Sequence, residues 1–270
     1  MIATTLRRGL VYVLLSIAAF ISVFPFLWMM IGATNTSAEI IRGKVSFGSA
    51  LIANATTFFT QVDAVRIFWN SGVIAVVATV LTLAISSLAG YGFEMFRSRL
   101  RERIFALLLL LLSIPFAAMM VPLFVMFSQA KLVNTFAAVI LPTIASIFII
   151  FYFRQATKAF PGELRDAAKI DGLKEWQIFL FVYLPVTRST YAAATIIVFM
   201  SNWNNYLWPL IVLQTAENKT ITLILSALTS AYTPDYGMIL FGTVLATLPT
   251  LVIFFLLQRR FVEGMLGAVK

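Results

Sequence analysis

The side chains best suited to bind a polar solute form one short cluster in the last third of the chain. The cluster combines amides with aromatic rings: Asn202, Trp203, Asn204, Asn205, Tyr206 and Trp208. Amides donate and accept hydrogen bonds, and rings pack against the CH faces of sugars, so this composition suits a polyol. The alternative is that the amides join neighbouring helices and that Trp208 belongs to an aromatic belt at a membrane surface.

Several kinds of chemistry are excluded by residues that the chain lacks. It contains no cysteine and no histidine. Disulfides, thiol chemistry, imidazole base catalysis and the commonest transition-metal sites are therefore excluded, and we assign no catalytic residue and no metal ligand. The nucleotide-binding pattern G-x-x-x-x-G-K-[ST] is also absent, so a partner would have to hydrolyse any ATP that drives this protein.

The longest polar loop, residues 154–188, predicts two short helices. Pro161 suits the first turn of a helix, and Glu163 complements the positive end of the helix dipole. Gly172 is placed to end this helix in the left-handed conformation that glycine adopts without strain. A second, amphipathic helix is predicted to follow and to stop before Pro185.

The middle of the first helix is nearly bare of side chain, because it carries Ala167 and Ala168. A groove of another protein could close around such a helix, and a large charged residue in place of Ala168 should then prevent docking. The alternative is an amphipathic helix on the membrane surface, which would tolerate a basic residue at this position.

The elements that must position these segments are membrane helices. The chain is 61% hydrophobic and only 11% charged, against about 25% charged in soluble domains. Six apolar runs without Lys, Arg, Asp or Glu are predicted to cross the bilayer, with kinks at their prolines. Their ranges are 10–33, 70–93, 104–127, 136–153, 189–213 and 237–257. We expect one membrane domain over residues 1–270. Small residues at four-residue spacing in the second run predict a close contact with another helix: Ala78, Thr82, Ser86 and Gly90.

The basic residues indicate the orientation of these spans. Fifteen of the 20 Lys and Arg residues lie at the termini and in the loops 94–103 and 154–188, and five lie in the other loops. Because cytoplasmic loops are enriched in Lys and Arg, both termini are predicted to be cytoplasmic, including the tail 258–270. The positive charge therefore reflects membrane topology, and we expect no nucleic-acid partner.

Seven positions within twenty residues of the 154–188 loop form a specific pattern: Asp166, Ala167, Ala168, Gly172, Val182, Leu184 and Pro185. This pattern resembles the EAA loop of permease subunits of ATP-binding-cassette (ABC) importers, with Asp166 for the usual Glu and Val182 for the usual Ile. The six spans, the amide and aromatic cluster and the tail extend the likeness, so the chain resembles the MalG-type permease subunits of carbohydrate importers.

The resemblance implies an all-α membrane protein with the type I ABC importer permease fold, in a bacterial cytoplasmic (inner) membrane. It implies a second, MalF-like permease, two ATPase subunits, an extracytoplasmic solute-binding protein and membrane lipid as partners. ATP and Mg²⁺ would be used by the ATPase subunits, with no cofactor held by this chain. The residues that would couple to the ATPase are Glu163, Asp166, Ala167, Ala168, Asp171, Gly172, Leu184 and Pro185.

Other functions have less support from the residues. An ion-coupled secondary transporter usually carries ionisable groups inside its spans, and these six spans have none. An intramembrane enzyme would lack candidates for acid, base or metal ligand. An ABC importer permease for a solute other than a sugar remains an open alternative, and the sequence does not identify the sugar.

Overall fold

The computed structural model of the protein describes residues 2–267, with side chains for residues 8–259. The described residues form helices and no strand. The α-helices are α1 (Ile2–Ala33), α2 (Ser37–Ile41), α3 (Leu51–Gln61), α4 (Ala64–Met95), α5 (Arg99–Leu111), α6 (Phe116–Gln129), α7 (Phe136–Ile140), α8 (Ile147–Lys158), α9 (Gly162–Ile170), α10 (Glu175–Ile178), α11 (Leu184–Val186), α12 (Arg188–Trp203), α13 (Leu207–Val212), α14 (Ile221–Thr229) and α15 (Tyr236–Gly267). The end of the predicted tail, residues 268–270, and the side chains from residue 260 onward lie outside the described residues.

Within the described part of the chain, three helices are long and apolar enough to cross a membrane unbroken: Arg8–Ala33, Ala64–Met95 and Tyr236–Arg259. Three further candidates are pairs of helices that bend sharply at a short break. α5 and α6 meet at 100°, the α7 and α8 segments at 42°, and the segments Glu175–Val186 and Arg188–Val212 at 81°. Pro115 caps α6 at the 100° bend, where its fixed φ and missing N–H favour a new helix start.

Contacts divide the chain into two compact units, whose boundaries fall within α4, α14 and α15. The first unit comprises the residues up to Val65 and Ile224–Leu248. Its core holds Phe58, which is fully buried against the ring of Phe241 at a centroid distance of 5.8 Å. The amide of Asn54 donates hydrogen bonds to the carbonyl of Ala33, the last residue of α1, at 2.8 Å and to that of Asn35 at 3.0 Å.

The second unit comprises Arg66–Leu223 and the residues from Pro249 onward. The strip of small residues on α4 is buried within this unit, against α7, the 3₁₀ turn Leu141–Thr143 and α8. The hydroxyl of Thr82 donates to the carbonyl of Thr143 at 3.0 Å. An added Cβ at Gly90 would lie 2.7 Å from the Cβ of Phe153, so α4 and α8 approach closely there. The strip of small residues on α4 therefore packs against a helix of the same chain, α8.

The fifth predicted span, 189–213, is divided into α12 and α13, which are separated by residues 204–206. Asn204 caps α12, and the carbonyl of Tyr206 accepts the N–H of Leu210 in α13. The run 189–213, predicted as one span, is therefore broken by residues 204–206, and Asn202 and Asn205 do not lie on one continuous helix.

Candidate solute path and coupling loop

The break in the fifth span borders a cavity of about 510 Å³ in the second unit. Six hydroxyl or amide side chains line it: Thr82, Thr143, Ser146, Ser201, Asn202 and Asn205. The rings of Phe116 and Phe148 and the aliphatic chains of neighbouring residues line the remainder. Hydrogen-bonding groups beside aromatic rings are the combination that binds a polyhydroxylated solute.

Asn202 and Asn205 are the two residues of the amide and aromatic cluster that line this cavity. The amide of Asn202 is buried and donates to the carbonyl of Val198 at 2.9 Å, one turn earlier in α12. This bond orients the side chain and uses one of the two N–H groups. An amide also has a second N–H and an oxygen, each of which can form a hydrogen bond.

The structure places the other four residues of the cluster elsewhere. Trp203 is buried and stacks on Phe199 at a centroid distance of 5.8 Å. Trp208 is fully buried, and its indole N–H donates to the carbonyl of Ala138 at 2.8 Å. Tyr206 packs against the same apolar core as Trp208, and Asn204 is exposed. Trp203, Trp208 and Tyr206 thus contribute to packing around the break.

The sequence interpretation missed the serine and threonine residues that complete the cavity. Thr82 was noticed only as a small residue, and Thr143 and Ser146 belong to a short turn and the cap of α8. The hydroxyl of Ser146 accepts the N–H of Ile149, as an N-cap does. The sequence signal that could have revealed this part of the cavity is Ser146, a residue type that often caps a helix, inside an otherwise apolar run.

The first helix of the 154–188 loop is α9, and its C-terminus has the predicted left-handed cap. Gly172 has a φ of +82°. The N–H of Leu173 bonds the carbonyl of Ala168, and the N–H of Gly172 bonds that of Lys169, both at 3.0 Å. This pair of bonds is a Schellman motif, which satisfies carbonyls that the helix leaves open. The left-handed cap at Gly172 is therefore confirmed.

The eight residues assigned to ATPase coupling do not share one surface. Seven are exposed: Glu163, Asp166, Ala167, Asp171, Gly172, Leu184 and Pro185. Ala168 is buried, with 6% of its surface exposed, on the face of α9 that packs against its own chain. A partner would therefore meet Ala167, and the small size of Ala168 serves packing within the chain.

The second helix of the loop does not stop before Pro185. α10 continues through a π-helical turn, Phe179–Tyr183, into α11, which contains Pro185. The N–H of Leu184 bonds the carbonyl of Phe179 in this wider turn. Pro185 has no N–H to donate and would interrupt the hydrogen bonds of a regular α-helix. The π turn lies just before it and allows the helix to continue past this proline.

Glu175, at the start of α10, makes the densest set of polar contacts in the loop. Its carboxylate accepts from Arg165 Nη2 at 2.5 Å and from Lys169 Nζ at 3.0 Å, both on α9, and from the hydroxyl of Tyr91 at 3.1 Å. Partial burial raises the pKa of Glu175, but the bonds from Arg165 and Lys169 outweigh it, so the net pKa is lowered. The bond to Glu175 raises the pKa of Arg165 in turn.

A second group of charges is buried beside the loop. Arg154, on α8, has 5% of its surface exposed and donates to Glu94 at the end of α4 at 3.2 Å. It also donates to Glu102 on α5 at 2.5 Å, and its guanidinium lies 4.1 Å from the centre of the Phe105 ring. Buried charges need such partners, because burying an unpaired charge costs several kcal/mol. Arg154 therefore joins the ends of α4, α5 and α8.

The fold and the site together define a class of protein: a helical membrane subunit of a transporter, with an uncharged cavity beside a broken span that is lined in part by hydroxyl and amide side chains. The chain belongs to the family of binding-protein-dependent transport system inner membrane components, which matches residues 83–267. A chain in the crystal structure of a bacterial ABC transporter involved in import of the acidic polysaccharide alginate has the same fold. The TM-score is 0.77 at 18% identity, over 96% of this chain and 98% of that chain.

Curated relatives match almost the whole chain. The lactose transport system permease protein of Rhizobium radiobacter is 66% identical, covering 99% of both chains. The arabinooligosaccharides transport system permease protein of Bacillus subtilis is 35% identical over 92% of this chain and 90% of its own length. The sn-glycerol-3-phosphate transport system permease protein of Agrobacterium fabrum is 30% identical over 98% of each chain. The resemblance to importer permeases is confirmed.

Proposed function

We propose that the chain is the permease subunit of an ATP-driven, binding-protein-dependent importer, and that it forms half of the path for a neutral sugar. The observation that carries the proposal is the cavity beside the break at residues 204–206, in a chain of this family. Asn202 and Asn205 line that cavity together with four hydroxyl side chains. Relatives named for lactose and arabinooligosaccharides support a sugar as the solute.

The lining favours a neutral sugar over a phosphorylated one. The residues that line the cavity in the described part of the chain carry no charge. A phosphate group is usually paired with Arg or Lys, whose charge compensates its own, and the N-terminus of α8, which borders the cavity at Ser146, would compensate it only in part. The relative named for glycerol 3-phosphate, at 30% identity, is therefore a weaker guide to the solute than the relative named for lactose.

The remaining parts of the proposal concern partners and orientation. A second permease would complete the path, two ATPase subunits would bind ATP and Mg²⁺, and an extracytoplasmic binding protein would deliver the sugar. The chain itself would hold no cofactor and catalyse no reaction. The exposed face of α9 around Ala167 would dock on an ATPase subunit, with both termini and the 154–188 loop in the cytoplasm, as the distribution of basic residues favours.

Two asparagines offer a matched test of the solute path. The amides of Asn202 and Asn204 each donate to a carbonyl four residues earlier, at 2.9 Å. Asn202 lines the cavity, whereas Asn204 is exposed and outside it. We expect Asn202→Leu to lower kcat/KM for sugar uptake about tenfold, because one or two hydrogen bonds to the sugar are lost. Asn204→Leu should stay within about twofold of wild type.

The assay uses the complete complex in proteoliposomes, with labelled lactose, maltose and glycerol 3-phosphate as alternative solutes and with ATP present or absent inside. Uptake of a neutral sugar that requires ATP is the expected result. Uptake without ATP would indicate a secondary transporter, and uptake of glycerol 3-phosphate alone would overturn the neutral-sugar assignment. Equal kinetics of Asn202→Leu and Asn204→Leu would remove Asn202 from the path.

The orientation has its own test, because the chain has no native cysteine that would react. Single cysteines in place of Lys219 and Arg165 can be labelled in intact cells with a reagent that does not cross the membrane. We expect labelling at residue 219 only. Labelling at residue 165 in intact cells would reverse the orientation.

A further inference from the structure

The carboxylate of Glu175 joins two elements that are far apart in the chain. Arg165 contacts it through two nitrogen atoms, Nη2 at 2.5 Å from one oxygen and Nε at 3.3 Å from the other. The hydroxyl of Tyr91, 84 residues earlier in the penultimate turn of α4, donates to the second oxygen at 3.1 Å. A two-nitrogen contact between Arg and a carboxylate fixes orientation as well as distance. Glu175 thus links α9 to the end of α4.

Aromatic rings surround this link and make it rigid. Tyr91 meets Tyr183 and Phe179 edge-on at centroid distances of 4.9 and 5.3 Å, and Tyr183 is fully buried. The guanidinium of Arg165 also lies 5.4 Å from the centre of the Phe96 ring, just beyond α4. Close-packed aromatic clusters transmit displacement because their interiors are poorly compressible. α9, the π turn and the end of α4 therefore form one packed group.

The same end of α4 continues to the solute cavity. Glu94 lies three residues after Tyr91 and accepts from Arg154 on α8 at 3.2 Å. Further along these two helices, Thr82 on α4 and Ile149 on α8 line the cavity. A displacement of the end of α4 is therefore carried to α8 through a buried charge pair, and both helices reach the cavity.

We propose that Glu175 is a positioning residue, which ties α9 to the end of α4 so that the two move as one body when the transporter works. The proposal rests on the proposed function, in which α9 docks on the ATPase. A role in stability alone is a poor account of these contacts. The side chains of Arg165 and Glu175 are 18% and 33% exposed, and ion pairs that keep contact with solvent contribute modestly to stability.

The test measures coupling, as the number of lactose molecules imported per ATP hydrolysed by the complete complex in proteoliposomes. Glu175→Gln keeps the size of the side chain and removes its charge. We expect it to lower the ratio about fivefold or more. Tyr91→Phe, which keeps the ring contacts and removes one hydrogen bond, should lower it about twofold. The matched controls are Glu217→Gln and Tyr232→Phe, at exposed positions outside the linked elements, and they should keep the wild-type ratio.

Exchanging the charges of Arg165 and Glu175 distinguishes a positioning role from a role in local folding. Arg165→Glu alone should uncouple the complex as Glu175→Gln does. The double variant Arg165→Glu with Glu175→Arg, made together with Lys169→Gln so that Lys169 does not repel the new arginine, re-forms a pair of opposite charges, and we expect it to recover at least half of the wild-type ratio. The proposal would be overturned if the double variant did not recover the import ratio and Tyr91→Phe kept the wild-type ratio. This criterion also applies if Glu175→Gln fails to assemble, because it does not depend on that variant.

A distance measurement gives a readout that a role in folding alone would leave unchanged. Spin labels can be attached to cysteines in place of Leu88, on α4, and Ile170, at the end of α9, which are 55% and 88% exposed. We expect the same distance distribution without nucleotide and with ATP trapped, and a broader distribution with Glu175→Gln. A change of several ångströms between these states in an active wild-type complex would show that α9 moves independently of α4. Failure of the wild-type complex to import any sugar would instead count against the proposed function.

Discussion

Gly90 tests whether the close contact between α4 and α8 holds the second unit together. A Cβ added at Gly90 would lie 2.7 Å from the Cβ of Phe153, 2.8 Å from the backbone nitrogen of Arg154 and 3.0 Å from a carbonyl oxygen. Favourable contacts need about 3.5–4.0 Å between carbon atoms, so Gly90→Ala must move α8 outward by about 1 Å. Two of the three atoms belong to the backbone and cannot rotate away.

The same α-helix provides a matched control at Gly92. No atom lies within 4 Å of a Cβ added there. Replacing a helical glycine by alanine stabilises by about 0.5–1 kcal/mol when there is space. Forcing an extra carbon into a packed contact costs about 1–3 kcal/mol. Both variants gain this helix term, so it cancels in the comparison, and Gly90→Ala should have a free energy of unfolding about 1–3 kcal/mol lower than Gly92→Ala.

The displacement has a second consequence, because Arg154 bonds Glu94 across the same contact. Moving α8 by about 1 Å would lengthen the 3.2 Å bond beyond hydrogen-bonding distance. Thermal unfolding of the purified complex, followed by the fraction that remains assembled, measures the stability of both variants. The rate of sugar uptake by the same variants measures whether function changes with stability. Equal unfolding midpoints for the two variants would refute the packing argument.

Two further predictions test the roles that the structure indicates for Trp208 and for the alanine pair Ala167 and Ala168. Trp208→Phe should destabilise the complex by about 1–3 kcal/mol, because the carbonyl of Ala138 loses its indole donor, while KM for the transported sugar stays unchanged. The control is Trp69→Phe, at a position that is 68% exposed. A changed KM with Trp208→Phe would instead assign Trp208 to the solute path. Ala167→Arg should prevent co-purification of the ATPase and leave membrane insertion intact, since Ala167 is on the exposed face of α9. Ala168→Arg should lower the amount of inserted chain, and normal insertion with lost ATPase binding would contradict this assignment.

The features predicted correctly from the sequence are those that depend on local chemistry. The left-handed cap at Gly172 follows from the conformational freedom of one residue type and from the helix pattern before it. The membrane class follows from apolar runs long enough to span a bilayer. Neither prediction needs a contact between distant segments.

The features that the sequence did not reveal depend on such contacts. The break between α12 and α13 lies in a run of asparagine and aromatic residues that reads as one apolar helix. The serine and threonine residues of the cavity come from α4, the turn before α8 and α12, so their convergence requires the packed structure. Glu94 and Arg154 are 60 residues apart, and the sequence shows Arg154 only as one of the basic loop residues, with no sign of its partner.

The inward position of Ala168 could not be predicted either. Two adjacent alanines on a helix point about 100° apart, so at most one of them faces a given partner. The sequence does not specify which side of a short helix packs against its own chain. The contacts of α9 with α10 and the π turn decide it, and they place Ala168 inward.

The π turn at Phe179–Tyr183 also makes the length of the loop matter. A π turn holds one residue more than a turn of α-helix, and a change of one residue rotates the helix by about 100°. A deletion between Glu175 and Pro185 would therefore turn the carboxylate away from Tyr91 while leaving every motif residue in place. Loops exchanged between related permeases would have to agree in this residue count as well as in the motif. A chimera shortened by one residue should still insert and assemble, but α9 would be rotated relative to the end of α4.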